Sequence, residues 1–258
     1  MTTTQTETRA QLASVSPFML MLEYRALFGL GAYISTQPLL NLATPRGDGH
    51  PVLILPGLTA SDHSTKLMRD FLKQKGYRAH KWKLGVNFGM NNQLKVGIKD
   101  RLEELYERYQ QPVSLIGWSL GGIYARELAR RHPEMVRQLI TLAAPFRSIV
   151  EHSHAAWIYE LLTGKSAHVA QVHEIAKILT PPPVPTTAMY SKSDGVVPWQ
   201  HCMESEGHGI QNIEVSGSHS GLGHNPAVFF TIANRLALKK GEWEPFRASH
   251  FERLWHFT

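Results

Sequence analysis

Cysteine is almost missing from this sequence: Cys202 is the one cysteine in 258 residues. That excludes an internal disulfide framework and any metal site built on several thiolates. Charge is also scarce, at 19% of residues against 43% hydrophobic, which excludes a disordered chain or a polyelectrolyte tail. The basic excess is small, 27 Lys and Arg against 21 Asp and Glu for a net +6. The two signs are interleaved, as between Arg101 and Arg108, and the clusters Arg130-Arg131 and Lys239-Lys240 are short. With no nucleic-acid-binding motif beside them, nucleic acid is not an expected partner. Long apolar runs are missing too. The most apolar stretch, residues 17–34, is broken by Glu23 and Arg25, whereas a spanning helix needs about 20 apolar residues with few or no charges. The first residues lack a basic region running into an apolar core, so no secretory signal is read. The expectation is a cytoplasmic protein. Residues 17–45 are left to pack on the domain, to rest on a membrane surface or to form a homodimer face.

From residue 51 short apolar runs alternate with amphipathic stretches. Strands are expected at 52–55, 77–82, 112–117, 137–143, 186–190 and 213–215, and helices at 63–75, 94–109, 120–131 and 226–238. Asp62 is read as the cap of the first of these helices and Gly76 as its stop. Strand and helix alternating at this spacing imply parallel βαβ units and a sheet covered on both faces. Residues 146–183 are too long for an ordinary connection. They carry Trp157, Ile158, Leu161 and Leu162 and end in a proline-rich strap at 181–185. The expected domains are an N-terminal helical segment packed on the core at 1–47, a catalytic domain at 48–238 with a small helical cap at about 146–183, and a tail at 239–258.

The chemistry concentrates at Gly117-Trp118-Ser119-Leu120-Gly121, a G-x-S-x-G motif between a strand and a helix. A sharp strand-to-helix turn strains the serine backbone, exposes Oγ above the sheet, and leaves room only for glycine on either side. The Leu120 N–H, at the new helix's N-terminus, is aimed at an oxyanion on the attacked carbon. Serine is a weak nucleophile and needs a base oriented by a third group. Asp194 follows one strand, in Ser193-Asp194-Gly195, and His219 follows the next, in a Ser/Gly loop. His224, just before Asn225-Pro226, is the second histidine there and is read as an N-cap or a wall of the site. Leu58 N–H, in the loop after the first strand, is the expected second oxyanion donor. Trp118, Phe146, Trp157 and Trp199 are the expected substrate-binding residues, beside His224. The cap histidines His152, His154, His168 and His173 lack a matched carboxylate or cysteine cluster, so no metal is expected.

Over about residues 48–238 the sequence resembles serine hydrolases of the α/β-hydrolase family. The residues that carry the likeness are Leu-Pro-Gly-Leu at 55–58, the thirteen residues from Gly117 to Ala129, Ser-Asp-Gly-Val-Val-Pro at 193–198 and Gly-Ser-His-Ser-Gly-Leu at 217–222. More narrowly it is similar to bacterial lipase- and esterase-like hydrolases that share the Pro-Arg-Gly-Asp-Gly-His-Pro lead-in at 45–51. The resemblance implies Ser119 as nucleophile, Asp194 as acid and His219 as base. Only about 50 residues precede the first clear strand, which suggests a minimal sheet of about six mostly parallel strands. The expected activity is hydrolysis of short- to medium-chain acyl esters through an acyl-enzyme, without cofactor. Acyl transfer, thioester or polyester cleavage and true lipase action stand as alternatives on the same triad.

Overall fold

The computed structural model describes residue 23 and residues 26–149 and 180–247. Most of the expected cap, Trp157 included, lies outside the described residues, as do residues 1–22 and the end of the tail.

Six parallel strands form one sheet: β1 (Pro51–Leu55), β2 (Arg78–His80), β3 (Val113–Trp118), β4 (Val136–Leu142), β5 (Thr186–Tyr190) and β6 (Ile210–Glu214), in the spatial order β2-β1-β3-β4-β5-β6. Among the described residues five α-helices accompany them: α1 (Ala26–Ala43), α2 (Lys66–Gln74), α3 (Asn92–Tyr109), α4 (Leu120–Arg131) and α5 (Pro226–Leu236). The strands read as continuous apolar runs because both faces are covered. Successive side chains point to opposite faces, and two clusters result. Val52, Ile54 and Ile116 pack with α1, α2 and α5, including Leu40, Phe71 and Phe229. Leu53, Leu55 and Leu115 pack with α3 and α4, including Leu102, Leu105 and Ala125.

The chain leaves β1 for β2 on one side and then returns to place β3 on the other. The loops after β1 and β3 therefore diverge, and a crevice opens at the carboxyl ends of those strands. The sheet places the site there.

Helix boundaries carry one correction. Asp62 does not cap α2, whose N-cap is Thr65 without a side-chain cap bond. The chain turns through three more residues first, and the Asp62 carboxylate instead accepts from Trp82 N at 3.0 Å and Lys83 N at 3.2 Å. The stop holds as expected: Gly76 adopts φ +94, and Tyr77 N donates to Leu72 O at 3.0 Å and Gly76 N to Lys73 O at 3.0 Å. This is a Schellman closure, which favours glycine at the left-handed position.

The described ends of the chain dock on the sheet's helical layers. Tyr33 and Leu40 of α1 are buried, and the Tyr33 ring meets Phe229 edge-on at 4.9 Å. Near the other end Phe246 N donates to Gln211 Oε1 at 2.7 Å, while Gln211 Nε2 donates to Phe246 O at 2.9 Å. Among the described residues no helix is long and apolar enough to cross a membrane.

Candidate active site

Ser119 joins β3 to α4 with φ 53 and ψ −122, a left-handed geometry that is strained for any residue but glycine. Its environment explains how the strain is held. A Cβ on Gly117 would stand 2.4 Å from Gly121 O, one on Gly121 2.4 Å from Leu55 O, and one on Gly122 2.5 Å from Ala144 Cβ. The turn closes so tightly that only hydrogen fits at three positions. The Ser119 N–H donates to Leu142 O at 2.8 Å, pinning the elbow to the end of β4.

Asp194 follows β5 and is buried, its side chain 1% exposed. One carboxylate oxygen, Oδ1, accepts from Val196 N and Val197 N, each at 2.8 Å. The other, Oδ2, faces His219 Nδ1 at 2.7 Å. With Nδ1–H donating to the carboxylate, Nε2 is left as the basic nitrogen. Ser119 and His219 both line a cavity of about 360 Å³ whose walls include Leu58, Trp118, Leu120, Ile123, Pro145, Val196 and Val197. Among the described residues Ser119 Oγ and His219 Nε2 are not hydrogen-bonded to each other. Such contacts tighten on substrate binding in many hydrolases, so loose apo geometry is ordinary.

The loop after β1 passes directly over the elbow: a Cβ on Gly57 would stand 3.3 Å from Ser119 Cβ. Among the described residues no acceptor meets the N–H of Leu58 or of Leu120. Both residues line the same cavity as Ser119. The loop is held by Asn87, which is fully buried. Asn87 Nδ2 donates to Pro56 O at 3.0 Å, its N–H to Ala60 O at 2.8 Å, and its carbonyl accepts from Thr59 N at 2.7 Å.

The sequence-predicted binding residues divide. Trp118 lines the cavity, and its Nε1 donates to His219 O at 3.2 Å. Phe146 does not line it: its ring is 1% exposed in the core, with the Arg126 guanidinium 4.2 Å above it. Trp199 also turns away and stacks on Tyr190 at 5.4 Å. His224 is neither cap nor wall. Asn225 caps α5 by accepting from Ala227 N, and His224 Nε2 reaches Ala26 O at 2.5 Å. Cys202 is buried, and burial together with the Asp194 charge pushes its thiol pKa well up, as in an inert structural thiol. Among the described residues no cluster of His, Cys, Asp or Glu is arranged to hold a metal ion.

Two polar residues at the site carried no sequence signal beyond their position in a loop or an apolar run. Asn87 is one. Glu23 is the other, and its carboxylate accepts from Gly195 N, His219 N and Ser220 N at 3.0, 2.9 and 2.8 Å. Burial alone would raise its pKa, but these hydrogen bonds outweigh that and hold it below the usual carboxylate value.

A second trio of the same residue types lies at the opposite end of the sheet. His50 Nδ1 is 2.5 Å from Asp48 Oδ1, and His50 Nε2 is 2.8 Å from Ser114 Oγ. Both His50 and Ser114 are fully buried. Burial, with Arg137 nearby, lowers the His50 pKa. Burial works to raise the Asp48 carboxyl, yet hydrogen bonds from His50 and Arg137 hold it at about 2. This network locks the 45–51 lead-in to β3.

Fold, elbow and the opening between β1 and β3 define an α/β-hydrolase. The chain belongs to the palmitoyl protein thioesterase family, whose model matches residues 51–195. It is similar to the pimeloyl-[acyl-carrier protein] methyl ester esterase of Shewanella woodyi, 31% identical over 98 residues, which are 38% of this chain and 37% of that protein. The matched stretch therefore spans little more than a third of that relative. Among solved structures, Bacillus licheniformis lipase BlEst2 in its mature form aligns with a TM-score of 0.53 at 17% identity, over 76% of this chain and 93% of its own. Aspergillus fumigatus lipase B aligns at 0.56 and 15%, over 78% and 57% respectively. At such identities the likeness is one of fold.

Proposed function

We propose that this protein is a serine carboxylic-ester hydrolase acting on short- to medium-chain acyl esters. The observation that carries the reading is a strained serine opening on the same cavity as a histidine bonded to a buried aspartate. Ser119 Oγ attacks the acyl carbon as His219 Nε2 takes its proton. Asp194 fixes the imidazole tautomer and stabilises the imidazolium. The Leu58 and Leu120 N–H groups bind the oxyanion. His219 then returns the proton to the leaving alcohol, and a water activated by the same nitrogen clears the acyl-enzyme.

The cavity wall supports an apolar acyl group, since it is made chiefly of Leu58, Leu120, Ile123, Val196 and Val197. At about 360 Å³ it lies near the low end of ligand pockets, which favours shorter acyl chains. A Shewanella woodyi relative acting on a methyl ester agrees with this chemistry. We also read residues 48–238 as one catalytic unit with a cap at 146–183, and residues 1–47 and 239–258 as its appendages.

A p-nitrophenyl ester series on wild type and Ser119→Ala tests the assignment. Activity peaking at short acyl groups and abolished by the substitution is expected; a Ser119→Ala variant with undiminished activity refutes it. Thioester hydrolysis is the second reading, favoured by the family to which residues 51–195 belong. Acyl thioesters and esters of equal chain length compared by kcat/KM decide between them, and a tenfold preference for the thioester moves the assignment.

A further inference from the structure

We propose that Glu23 is a positioning residue that clamps the acid loop and the base loop of the triad together, an inference resting on the assignment of Asp194 and His219 made above. Three backbone donors converge on this one side chain from two separate loops. Oε1 takes Gly195 N at 3.0 Å, in the loop after β5, and His219 N at 2.9 Å, in the loop after β6. Oε2 takes Ser220 N at 2.8 Å.

The arrangement links the same two loops at two levels. Side chains join them through Asp194 Oδ2 and His219 Nδ1 at 2.7 Å. Backbones join them through Glu23 Oε1, bonded to the residue immediately after the acid and to the base itself. Asp194 cannot do both, because its Oδ1 is already occupied by Val196 N and Val197 N. Without Glu23, three N–H groups beside the triad lose their acceptor. The two loops then stay joined near the sheet, where Ser191 Oγ and Ser193 Oγ donate to Gly217 O at 2.6 and 3.1 Å, and beside the triad through the imidazole–carboxylate contact.

Its neighbours seat Glu23 against the base loop. His224 Nε2 meets Ala26 O at 2.5 Å, and a Cβ on Gly29 would stand 3.3 Å from the His224 ring. The start of α1 is thus laid along the loop that carries the base. The charge of Glu23 is retained under working conditions, since its hydrogen bonds lower its pKa against the pull of burial. A carboxylate accepts such bonds more strongly than a neutral amide does.

The full chain carrying Glu23→Ala or Glu23→Gln tests the clamp. Glutamine keeps an Oε1 able to hold Gly195 and His219, but turns an NH₂ toward the Ser220 N–H. Expected for alanine is a loss in kcat of about ten- to a hundredfold, since misplacement by about 1 Å costs on that scale, with KM within about twofold. Fluorophosphonate labelling of Ser119 slows in parallel, and the low-field proton resonance of the His219 Nδ1–H bonded to Asp194 shifts or broadens. Glutamine recovers part of kcat but stays about three- to fivefold below wild type, with a smaller shift of the same resonance. Both variants matching wild type in kcat and in the His219 resonance overturns the proposal, as does alanine moving stability alone. If alanine does not fold, glutamine decides: a lowered kcat at constant KM with a moved resonance upholds the clamp, and no change in either overturns it. Failure of the triad assignment shows separately, as full activity in Ser119→Ala.

Discussion

Adding one methyl group at Gly121 strains the point where nucleophile and oxyanion loop meet. A Cβ there stands 2.4 Å from Leu55 O, 2.5 Å from Pro56 O and 2.7 Å from Leu55 C. Even weak C–H···O contacts settle at about 3.3–3.6 Å, so the shortfall is about 0.9 Å. All three obstructing atoms are backbone, so no side chain can swing aside. Overpacking of this kind costs about 1–3 kcal/mol, offset by up to about 1 kcal/mol from the better helix propensity of alanine. The net destabilisation of about 1–2 kcal/mol lowers Tm by a few degrees in a chain of this length. The catalytic effect is larger. Moving Pro56 outward drags Leu58 away from the elbow, and a displacement near 1 Å costs about a hundredfold in kcat. Urea unfolding and steady-state hydrolysis of p-nitrophenyl butyrate measure the two effects. Gly31→Ala is the opposite-signed control. Nothing lies within 4 Å of a Cβ at that position in α1, so it gains about 0.5–1 kcal/mol and leaves kcat unchanged. A Gly121→Ala enzyme with kcat within twofold of wild type refutes the close-packed elbow.

Three further outcomes follow from other parts of the molecule. Arg126 and Glu204 form a bidentate pair, with Nε to Oε1 at 2.6 Å and NH2 to Oε2 at 3.1 Å, their side chains 3% and 0% exposed. Arg126→Met strands a buried carboxylate and costs about 3–5 kcal/mol, whereas Arg126→Met with Glu204→Leu recovers most of it, as chemical denaturation of the double-mutant cycle will show. His80 is held near pKa 4 by burial first and then by Arg101 and Arg108, so the native state resists the proton that the unfolded chain accepts. Its contribution is complete above pH 6.5 and is lost as the pH falls toward 4. His80→Gln flattens that limb of the stability–pH curve by about 1–2 kcal/mol after allowance for solvent screening, read from urea midpoints. Ile123→Ala deepens the cavity wall and shifts the p-nitrophenyl ester optimum toward longer chains, each added methylene being worth about 0.8 kcal/mol once buried.

What could be read from the sequence was local. The elbow is legible because glycine, serine and glycine occupy adjacent positions of a single turn. Asp194 and His219 are legible because each sits in a turn-rich loop directly after a strand, and those two loops converge in the fold. β6 begins at Ile210 rather than at 213 because the first residues of this strand are only half-buried, which blunts the apolar signal. Phe146 departs from the expected site wall for a non-local reason: an aromatic just past a strand end reads as a wall, but Arg126, on α4, covers its ring. Glu23 and Asn87 act on backbone groups of distant loops. Backbone donors and acceptors have no residue identity, so no pattern of side chains could have announced either partner. An isolated Glu in an apolar stretch was the only trace of the first.

The Asp48–His50–Ser114 network has a practical consequence for anyone labelling this protein. Ser114 and Ser119 lie between Arg108 and Arg126 with no lysine or arginine between them. Trypsin therefore releases both serines on one peptide, and a mass shift on that peptide does not say which hydroxyl reacted. The buried serine, hydrogen-bonded to its own histidine beside an aspartate, matches the proposed nucleophile in residue composition while sealed from any reagent. Only fragment ions that cut between residues 114 and 119 assign the adduct. What separates the two trios in this molecule is the opening to a cavity and the strained backbone at Ser119, because the three side chains themselves occur twice.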